Sequence, residues 1–267
     1  MNDIRIIDTH CHLDFNELKT RLDEVVKDAK INNVTDMVTI STNLCRIDTI
    51  KEISEQYQEV FFTVGVHPNE AHKDKQYDDY HFIENYSKHE KCVGIGEGGL
   101  DYYYNIENMK FQKKSLEVQI NVARSTDLPM IIHSRDADND MIEILKSEYK
   151  NGPFRAILHC FSSGEELAYC GLNLDFFISF SGILTFNSAK NIQKIAKNIP
   201  LSKILVETDS PYLAPSPVRG SINEPKNCLH TAQFLSKLRD VNFLELSETL
   251  YDNSLNIYNK IKHWKDK

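Results

Sequence analysis

The 267-residue sequence has no hydrophobic run long enough to cross a bilayer, which takes about 20 consecutive apolar residues. It also lacks the ordered basic, apolar and small-residue regions of a signal peptide. Short repeats, low-complexity tracts and Pro/Gly-rich linkers are absent as well. These absences predict one domain over residues 1–267 with no membrane association.

The cysteines form no Cys-x-x-Cys pair, which disfavours a disulfide framework and a structural zinc site. Scattered thiols are typical of a reducing compartment, so we expect a cytoplasmic protein. Two of them, Cys11 and Cys160, adjoin histidines, which raises the question of a catalytic thiol. Side chains of a strand alternate between its faces, however, and this turns Cys11 away from His10 and His12.

Positive charge is in short supply: 31 basic residues face 39 acidic ones, a formal net charge of −8. This balance disfavours a large nucleic-acid-binding surface and predicts modest, salt-sensitive affinity for any nucleic acid. It does not exclude a phosphate substrate, because divalent cations reverse the local field of a site rich in carboxylates. No segment indicates an obligate protein partner.

Short apolar runs alternate with segments of helical periodicity along the whole chain. The alternation predicts parallel strands joined by right-handed helical crossovers. Eight such units predict a closed (β/α)8, TIM-type barrel, with an open doubly wound sheet as the alternative. The predicted strands are 4–8, 36–41, 60–66, 92–97, 129–133, 156–159, 175–180 and 204–207. The predicted helices are 16–32, 44–57, 77–89, 108–125, 137–149, 165–172, 188–198, 225–239 and 243–261.

Polar side chains stand at the carboxyl ends of these strands, and a barrel brings all those ends to one rim. Six of them form a plausible metal site, because histidine nitrogen and carboxylate oxygen together suit Zn²⁺, Mn²⁺ or Mg²⁺. The six are His10, His12, Glu97, His133, His159 and Asp209.

Two divalent ions per chain require a bridging carboxylate, and Glu97 is the expected bridge. It would share one metal with His10, His12 and Asp209 and the other with His133 and His159.

The sequence resembles the TatD family of metal-dependent hydrolases over nearly its whole length. The resemblance is carried by DTHCHL at 8–13, GVHP at 65–68, GIGEGGLDY at 94–102, IHSRDA at 132–137, HCFS at 159–162, ETDSPYL at 207–213, and RG at 219–220 followed by NEP at 223–225. It implies a TIM-type barrel with two divalent cations and phosphodiester hydrolysis, typically exonuclease action on DNA. The family's metal positions match the same six residues.

The expected catalytic residues are Asp209, as proton acceptor from the attacking water, and Glu97. Around them, His67, Arg135, Arg219 and Tyr102 are candidate substrate contacts, since arginine pairs with phosphate and a tyrosine ring stacks on a base. The alternative is that the two arginines pair with rim carboxylates such as Asp136 or Glu224. Glu207, two residues before Asp209, is a candidate to orient a ligand histidine from behind.

The family pattern is not followed everywhere. Asn69 stands where a second histidine is common, Gly98 replaces an apolar residue, and Ser163 replaces a glycine. The segment 220–223 lacks the basic residues often found there. These departures weaken the assignment of the substrate more than the assignment of the catalytic chemistry. Two alternatives therefore stay open: a related hydrolase acting on an ester or amide bond, for example in aminoacyl-tRNA, and a non-catalytic binding barrel.

Overall fold

The predicted apolar runs form eight strands that pair in parallel in chain order, β1 to β8. A parallel bridge between Cys11 and Ser210 joins the first strand to the segment after the last and closes the ring. This computed structural model, which describes residues 4–266, therefore confirms the TIM-type barrel. The strands are Ile6–Cys11, Val34–Thr39, Val60–Val64, Cys92–Asp101, Met130–Arg135, Ala156–Leu158, Phe177–Phe180 and Ile204–Val206.

Helices cover the outside of the barrel and bury their apolar faces against it. In α2, for example, Val25, Val26 and Ala29 are buried while the charged residues between them face solvent. The α-helices, α1 to α12, are Asn16–Lys19, Leu22–Ile31, Ile47–Gln56, Tyr80–Ser87, Tyr102–Asn105, Met109–Thr126, Asp138–Lys150, Glu165–Asn173, Lys190–Asn198, Cys228–Arg239, Phe243–Ile257 and Asn259–Lys265.

Short 3₁₀ turns add to the α-helices. They span Leu44–Arg46, Ile106–Asn108, Gly182–Thr185, Leu201–Lys203, Ser216–Val218 and Pro225–Asn227. Among residues 4–266, no helix is both long enough and apolar enough to span a membrane.

Several strand boundaries differ from the prediction, and the largest differences are at the ends of the first and fourth strands. The first strand is predicted at 4–8 and the fourth at 92–97, but they extend to Cys11 and Asp101. Both predicted strands end on a polar residue, yet all the residues of the two observed strands are buried. In β4 the extension pairs with β5 at Gly98–Ile132, Gly99–His133, Leu100–Ser134 and Asp101–Arg135.

Two of the predicted helices are interrupted. The segment 16–32 forms α1 and α2, which are separated at Thr20 and Arg21. The segment 243–261 breaks at Tyr258, whose backbone leaves the helical region with φ −97° and ψ 62°.

The barrel interior is filled by one apolar side chain from each of the strands β2 to β8, by Ile40 just after β2, and by three residues of the C-terminal segment. Tyr258 and Ile261 have no exposed surface, and Ile257 is also buried. The Tyr258 hydroxyl donates a hydrogen bond to the Thr9 carbonyl of β1 (3.1 Å). The break at Tyr258 therefore lets the end of the chain enter the barrel and close one end of it. We call residues 257–264 the plug. The remaining residues of this cluster are Val38, Ile40, Phe61, Val93, Ile131, Ile157, Phe177 and Leu205.

The plug lies at the end of the barrel where the strands begin. Lys260 of α12 donates from Nζ to the carbonyl oxygens of Ser87 (2.8 Å) and His89 (3.1 Å), just before β4. Lys91, also just before β4, lies over the Trp264 ring with 4.9 Å from Nζ to the ring centroid. The opposite rim, formed by the carboxyl ends of the strands, remains accessible.

Candidate metal centre

The end of β1 presents two imidazoles to the barrel axis. Extended backbone puts His10 and His12 on the same face, and their ring centroids lie 5.1 Å apart. Cys11 between them points to the other face, where its thiol is buried and donates a hydrogen bond to the Val38 carbonyl (3.4 Å). The alternation predicted for this strand is therefore observed.

Glu97 of β4 lies at the centre of the histidines. Its Oε2 is 3.4 Å from His10 Nε2, while its Oε1 is 2.9 Å from His133 Nδ1 and 2.7 Å from His159 Nε2. The two carboxylate oxygens thus face different imidazoles, which is the disposition a bridging ligand requires.

Asp209 reaches the same point from the segment after β8. Its Oδ1 lies 3.4 Å from His12 Nε2 and 3.6 Å from His10 Nε2. The Asp209 amide donates to the His10 carbonyl (2.9 Å), so closure of the barrel between β8 and β1 holds this carboxylate beside the pair of histidines.

The potential ligand atoms form three overlapping groups, and within each group all lie within 4.8 Å of one another. Two of the three groups share Glu97, and two share His10. The groups are His10, Glu97 and His159; His10, His12 and Asp209; and His67, Glu97 and His133.

These residues fit divalent metal ions. His10 is fully buried, yet neither of its ring nitrogens has a hydrogen-bond partner. A buried polar atom without a partner costs free energy, and a bound cation would satisfy it. The mixture of imidazole and carboxylate donors suits a transition-metal or alkaline-earth ion.

The charge on Glu97 is stabilised by its neighbours. Burial alone would raise its pKa, but the charges of the neighbouring His159 and His67 hold the pKa well below its usual range. Glu97 is therefore ionised and available as a ligand at neutral pH.

Glu207 lies behind His159, where it was expected to orient a ligand. Its Oε1 is 3.3 Å from His159 Nδ1 and accepts a hydrogen bond from the Cys160 amide (2.7 Å). The contact to Nδ1 leaves His159 Nε2 directed at Glu97. Carboxylates in this position fix the ring orientation and tautomer of ligand histidines.

Asp101 and Asn69 contribute to the site but were not identified as site residues from the sequence. Asp101 Oδ2 lies 3.4 Å from His133 Nε2 and accepts a hydrogen bond from the Asn69 amide (3.1 Å). Burial opposes the charge on Asp101, but hydrogen bonds from His133, the Tyr104 amide and Asn69 lower its pKa to about 2. The position of Asp101 at the end of the GIGEGGLDY block was the available signal.

Asn69 also explains part of the departure from the family pattern. Its backbone amide donates to His67 Nδ1 (3.0 Å), so the residue holds both His67 and Asp101. Gly98 has a structural reason as well: a Cβ there would lie 2.5 Å from Gln119 Nε2. The Gln119 side chain occupies that space and donates to the Val66 carbonyl (3.0 Å).

The predicted substrate contacts have different environments. His67 lies close to the ligand groups, with Nε2 3.5 Å from Glu97 Oε1, and burial lowers its pKa to about 4. The Tyr102 hydroxyl donates to Asp140 (2.6 Å), although its ring still lines the cavity. His67 therefore has the position of a possible metal ligand and not of a peripheral substrate contact. Tyr102 is held in place by the hydrogen bond from its hydroxyl.

The two arginines rest on aromatic rings. The guanidinium carbon of Arg135 lies 4.0 Å from the ring centroid of Tyr103, and that of Arg219 lies 3.5 Å from the centroid of Phe186. Within residues 4–266, neither arginine forms the ion pair with Asp136 or Glu224 that was the alternative, and Glu224 pairs with Arg21 and Lys226. Arg135 lines the cavity over the candidate metal centre, whereas Arg219 lies outside its lining.

The cavity above the cluster has a volume of about 1950 Å³ and is open to solvent. This volume exceeds the roughly 300–1,000 Å³ of typical small-molecule pockets. Its lining combines metal-site residues with aromatic rings and cations. Those rings and cations are Phe15, Tyr102, Tyr104, Tyr212, Arg46, Arg135, Lys190 and Lys194.

Comparisons with known proteins agree with this arrangement. A family model described as TatD related DNase matches residues 7–259. YabD, an uncharacterized metal-dependent hydrolase of Bacillus subtilis strain 168, is 35% identical over 253 residues, covering 95% of this chain and 98% of the relative. YcfH, an uncharacterized metal-dependent hydrolase of Escherichia coli K12, is 35% identical over 256 residues, covering 95% of each chain.

Among solved structures, the fold is similar to that of YJJV, a TatD homologue from Escherichia coli K12. The TM-score is 0.89 at 25% sequence identity, and the match covers 96% of this chain and 98% of the other. The likeness therefore extends over all the elements that position the cluster.

Proposed function

Because this chain belongs to the TatD family of metal-dependent hydrolases, we propose that it cleaves phosphodiester bonds in single-stranded DNA as a deoxyribonuclease with exonuclease action. The observation that carries the proposal is the pair of ligand groups that meet at Glu97 inside the large cavity. Two metal ions about 3.5–4 Å apart are a recurrent arrangement in phosphatases and nucleases, where they stabilise the attacking and leaving oxygens together.

Two divalent ions, Mg²⁺, Mn²⁺ or Zn²⁺, would be held by different residues that share one carboxylate. His10, His12 and Asp209 would hold one ion, and His133 and His159 the other, with Glu97 in common. His67 lies near enough to the second group to complete it. Such ions lower the pKa of a coordinated water and polarise the phosphoryl oxygen.

Asp209 has the position of a proton acceptor. Its side chain is 15% exposed, more than that of Glu97 or His10, so it is the ligand carboxylate most open to water from the cavity. It takes the proton of the attacking water at a carboxylate oxygen. His12, 3.4 Å from its Oδ1, supports the ionised form of Asp209 and thereby keeps it available as a base.

The cavity lining supports a nucleic-acid substrate. Arg46 and Arg135 place guanidinium groups in a cavity that would otherwise be dominated by carboxylates. Guanidinium binds phosphate through paired donors. The exposed aromatic rings of the same lining suit unpaired bases better than a duplex, whose bases are already stacked.

A reducing, cytoplasmic location accompanies this proposal. All six cysteines are free thiols, and four of them are buried. The observation fits a compartment in which disulfides do not form.

Digestion of end-labelled single-stranded DNA with added Mn²⁺ or Mg²⁺ tests the proposal. The wild type should shorten the strand from an end. Glu97→Ala should reduce cleavage to background and lower the bound metal, because it removes the shared ligand. Asp209→Asn keeps an oxygen at the ligand position but removes the base, so the rate should fall about 10²–10⁴-fold.

The matched control is Glu52→Ala, an exposed position on α3 far from the cavity, which should retain wild-type cleavage. RNA, an aryl phosphodiester, an aminoacyl ester and an amide are offered in parallel. If the protein hydrolyses the ester or amide but no DNA, it is the related hydrolase and not a nuclease. If it hydrolyses none of these substrates and binds no metal, it is a non-catalytic binding barrel.

A further inference from the structure

Two exposed tyrosines of the cavity lining lie outside the metal cluster. Tyr212 is 53% exposed and Tyr104 is 64% exposed. A cavity wall is where an exposed aromatic ring can contact a ligand, and neither of these two rings belongs to the predicted metal ligands.

Tyr212 follows Asp209 by three residues and packs against the first strand's loop. Its ring lies edge-on to Phe15, with centroids 6.0 Å apart. Phe15 in turn stacks on the ligand His12 at 4.7 Å and an interplanar angle of 20°. Arg46, whose guanidinium carbon is 5.4 Å from the Phe15 centroid, adds a cation beside this group. We call Tyr212 with Phe15 the Tyr212 platform.

Tyr104 stands on the short helix after β4, beside the end of β5. The guanidinium carbon of Arg135 lies 4.7 Å from its ring centroid and 4.0 Å from that of Tyr103. Asp101 accepts hydrogen bonds from the amides of both tyrosines (3.1 and 3.0 Å), which ties this helix to the His133 side of the cluster. We call Tyr104 with Arg135 the Tyr104 platform.

The two platforms belong to opposite sides of the barrel. The strands are ordered β1 to β8 around a ring closed between β8 and β1, so the β8/β1 junction lies across from β4 and β5. The Tyr212 platform adjoins the group of His10, His12 and Asp209. The Tyr104 platform adjoins the group of His67, Glu97 and His133. The metal cluster therefore lies between them.

We propose that the two platforms are separate base-binding subsites, each taking the base on one side of the phosphodiester that is cleaved. The inference rests on the proposed nuclease function and deepens it, since it defines the substrate as a single strand with an unpaired base on both sides of the reacting phosphate. An aromatic face binds any base by stacking, so the subsites select single-stranded structure and not sequence.

A pair of one-base substrates tests each subsite separately. The dinucleotides d(TpX) and d(XpT), in which X is an abasic tetrahydrofuran residue, carry the single base on opposite sides of the same scissile phosphate and have no other aromatic ring. Tyr212→Ala should lower kcat/KM for one of these substrates about 5- to 150-fold, the loss of one stacked base, and leave the other unchanged. Tyr104→Ala should show the reverse pattern. Both variants should slow cleavage of a thymidine dinucleotide.

Conservative variants and a matched control complete the experiment. Tyr212→Phe and Tyr104→Phe keep the ring and should stay within about twofold of the wild type, in line with stacking on the aromatic face. Tyr169→Ala removes a tyrosine that is 48% exposed and lies outside the cavity lining, and it should change the cleavage of neither substrate. The fully abasic dinucleotide d(XpX), which has no base, should be hydrolysed alike by all variants.

Three results would overturn the inference. The first is that both alanine variants slow cleavage of the same one-base substrate, and the second is that neither differs from Tyr169→Ala. The third is that the phenylalanine variants are as slow as the alanine ones, because then the hydroxyl and not the ring is used. If the wild type hydrolyses no phosphodiester at all, the proposed function itself fails, a result distinct from these three.

Discussion

At the scale of the residue, the site depends on carboxylates that each hold a histidine in place. Glu207 contacts His159 on the side away from the cluster, and Asp101 does the same for His133. The imidazoles are thereby directed at Glu97 before any ligand arrives. Preorganisation of this kind reduces the conformational entropy that metal binding must overcome.

The contact of Glu207 with His159 predicts a loss of metal affinity when its charge is removed. Glu207→Gln preserves the size of the side chain but weakens the hold on Nδ1, so metal affinity should fall about 10- to 100-fold. Isothermal titration calorimetry of the metal-free protein with Mn²⁺ measures the change in metal affinity directly.

Glu166→Gln is the control for this titration, since Glu166 is an exposed glutamate on α8. Equal Mn²⁺ affinity in Glu207→Gln and the wild type would contradict the orienting role.

That the six predicted metal ligands come together at one rim could be predicted from the sequence, because each stands at or near the end of an apolar run and parallel strands bring their ends together. The partners of Arg135 and Arg219 could not. A guanidinium has several acceptors within reach of its long side chain, and the choice of Tyr103 or Phe186 over a carboxylate depends on rotamers that only the folded chain defines. The contacts of Asn69 with His67 and Asp101 could not be predicted for the same reason.

At the scale of the element, α12 is the feature that sequence periodicity did not reveal. A single helix was predicted over 243–261, because the apolar spacing continues through Tyr258. The backbone breaks there, and Tyr258 and Ile261 lie in the barrel interior, where burial of their apolar surface is favourable.

Removing one side chain of the plug should destabilise the whole barrel. Ile261 is fully buried, so Ile261→Ala should lower the free energy of unfolding by about 2–5 kcal/mol through lost burial and a residual cavity. Urea unfolding followed by circular dichroism would show a lower midpoint with an unchanged slope.

Ile31, which is 68% exposed on α2, is the matched control. Ile31→Ala should change the free energy of unfolding by no more than about 0.5 kcal/mol. An Ile261→Ala midpoint equal to that of Ile31→Ala would mean that α12 does not contribute to the core.

The ends of two strands were also not predictable from the pattern of apolar residues. The first strand is predicted to end at Asp8 and the fourth at Glu97, because polar residues and glycines usually mark a loop. Here the strands continue through His10 and through Gly98 and Gly99, and His10 and Glu97 are buried because they face one another across the barrel. Burial of a polar group is decided by its partners in space, and those partners come from other strands.

At the scale of the whole molecule, the net charge of −8 limits how strongly DNA can be held. The cavity lining supplies four lysines and arginines, and two of them are paired: Lys194 with Glu165 (2.7 Å) and Arg46 with Asp14 (2.8 Å). Nucleic-acid affinity is therefore expected to depend on a few phosphate contacts close to the cluster.

This small set of cations predicts a shallow salt dependence. With at most four phosphate contacts, the logarithm of the association constant should fall with the logarithm of salt at a slope no steeper than about −3 for a single strand. Fluorescence anisotropy of labelled single-stranded DNA with the Asp209→Asn variant measures it without cleavage. A slope of zero would exclude phosphate contacts, and a much steeper slope would indicate a basic surface beyond the cavity.

The closed barrel was predictable because eight repeating units leave few alternatives to closure. How its interior is filled was not, since that depends on residues 257–264, which lie far along the chain from the strands they contact. A long-range contact of this kind leaves no periodic trace in the sequence.

The hydrogen bond from Tyr258 to the Thr9 carbonyl has a consequence for synthesis. The ribosome delivers all eight strands before it delivers the plug, so a nascent chain has no residues 257–264 with which to fill the barrel interior until every strand has been made. We therefore expect Phe61 and the other inward side chains to be covered only after this segment is synthesised. Only then can the Tyr258 hydroxyl reach the Thr9 carbonyl of β1, the strand that carries the first of the predicted metal ligands.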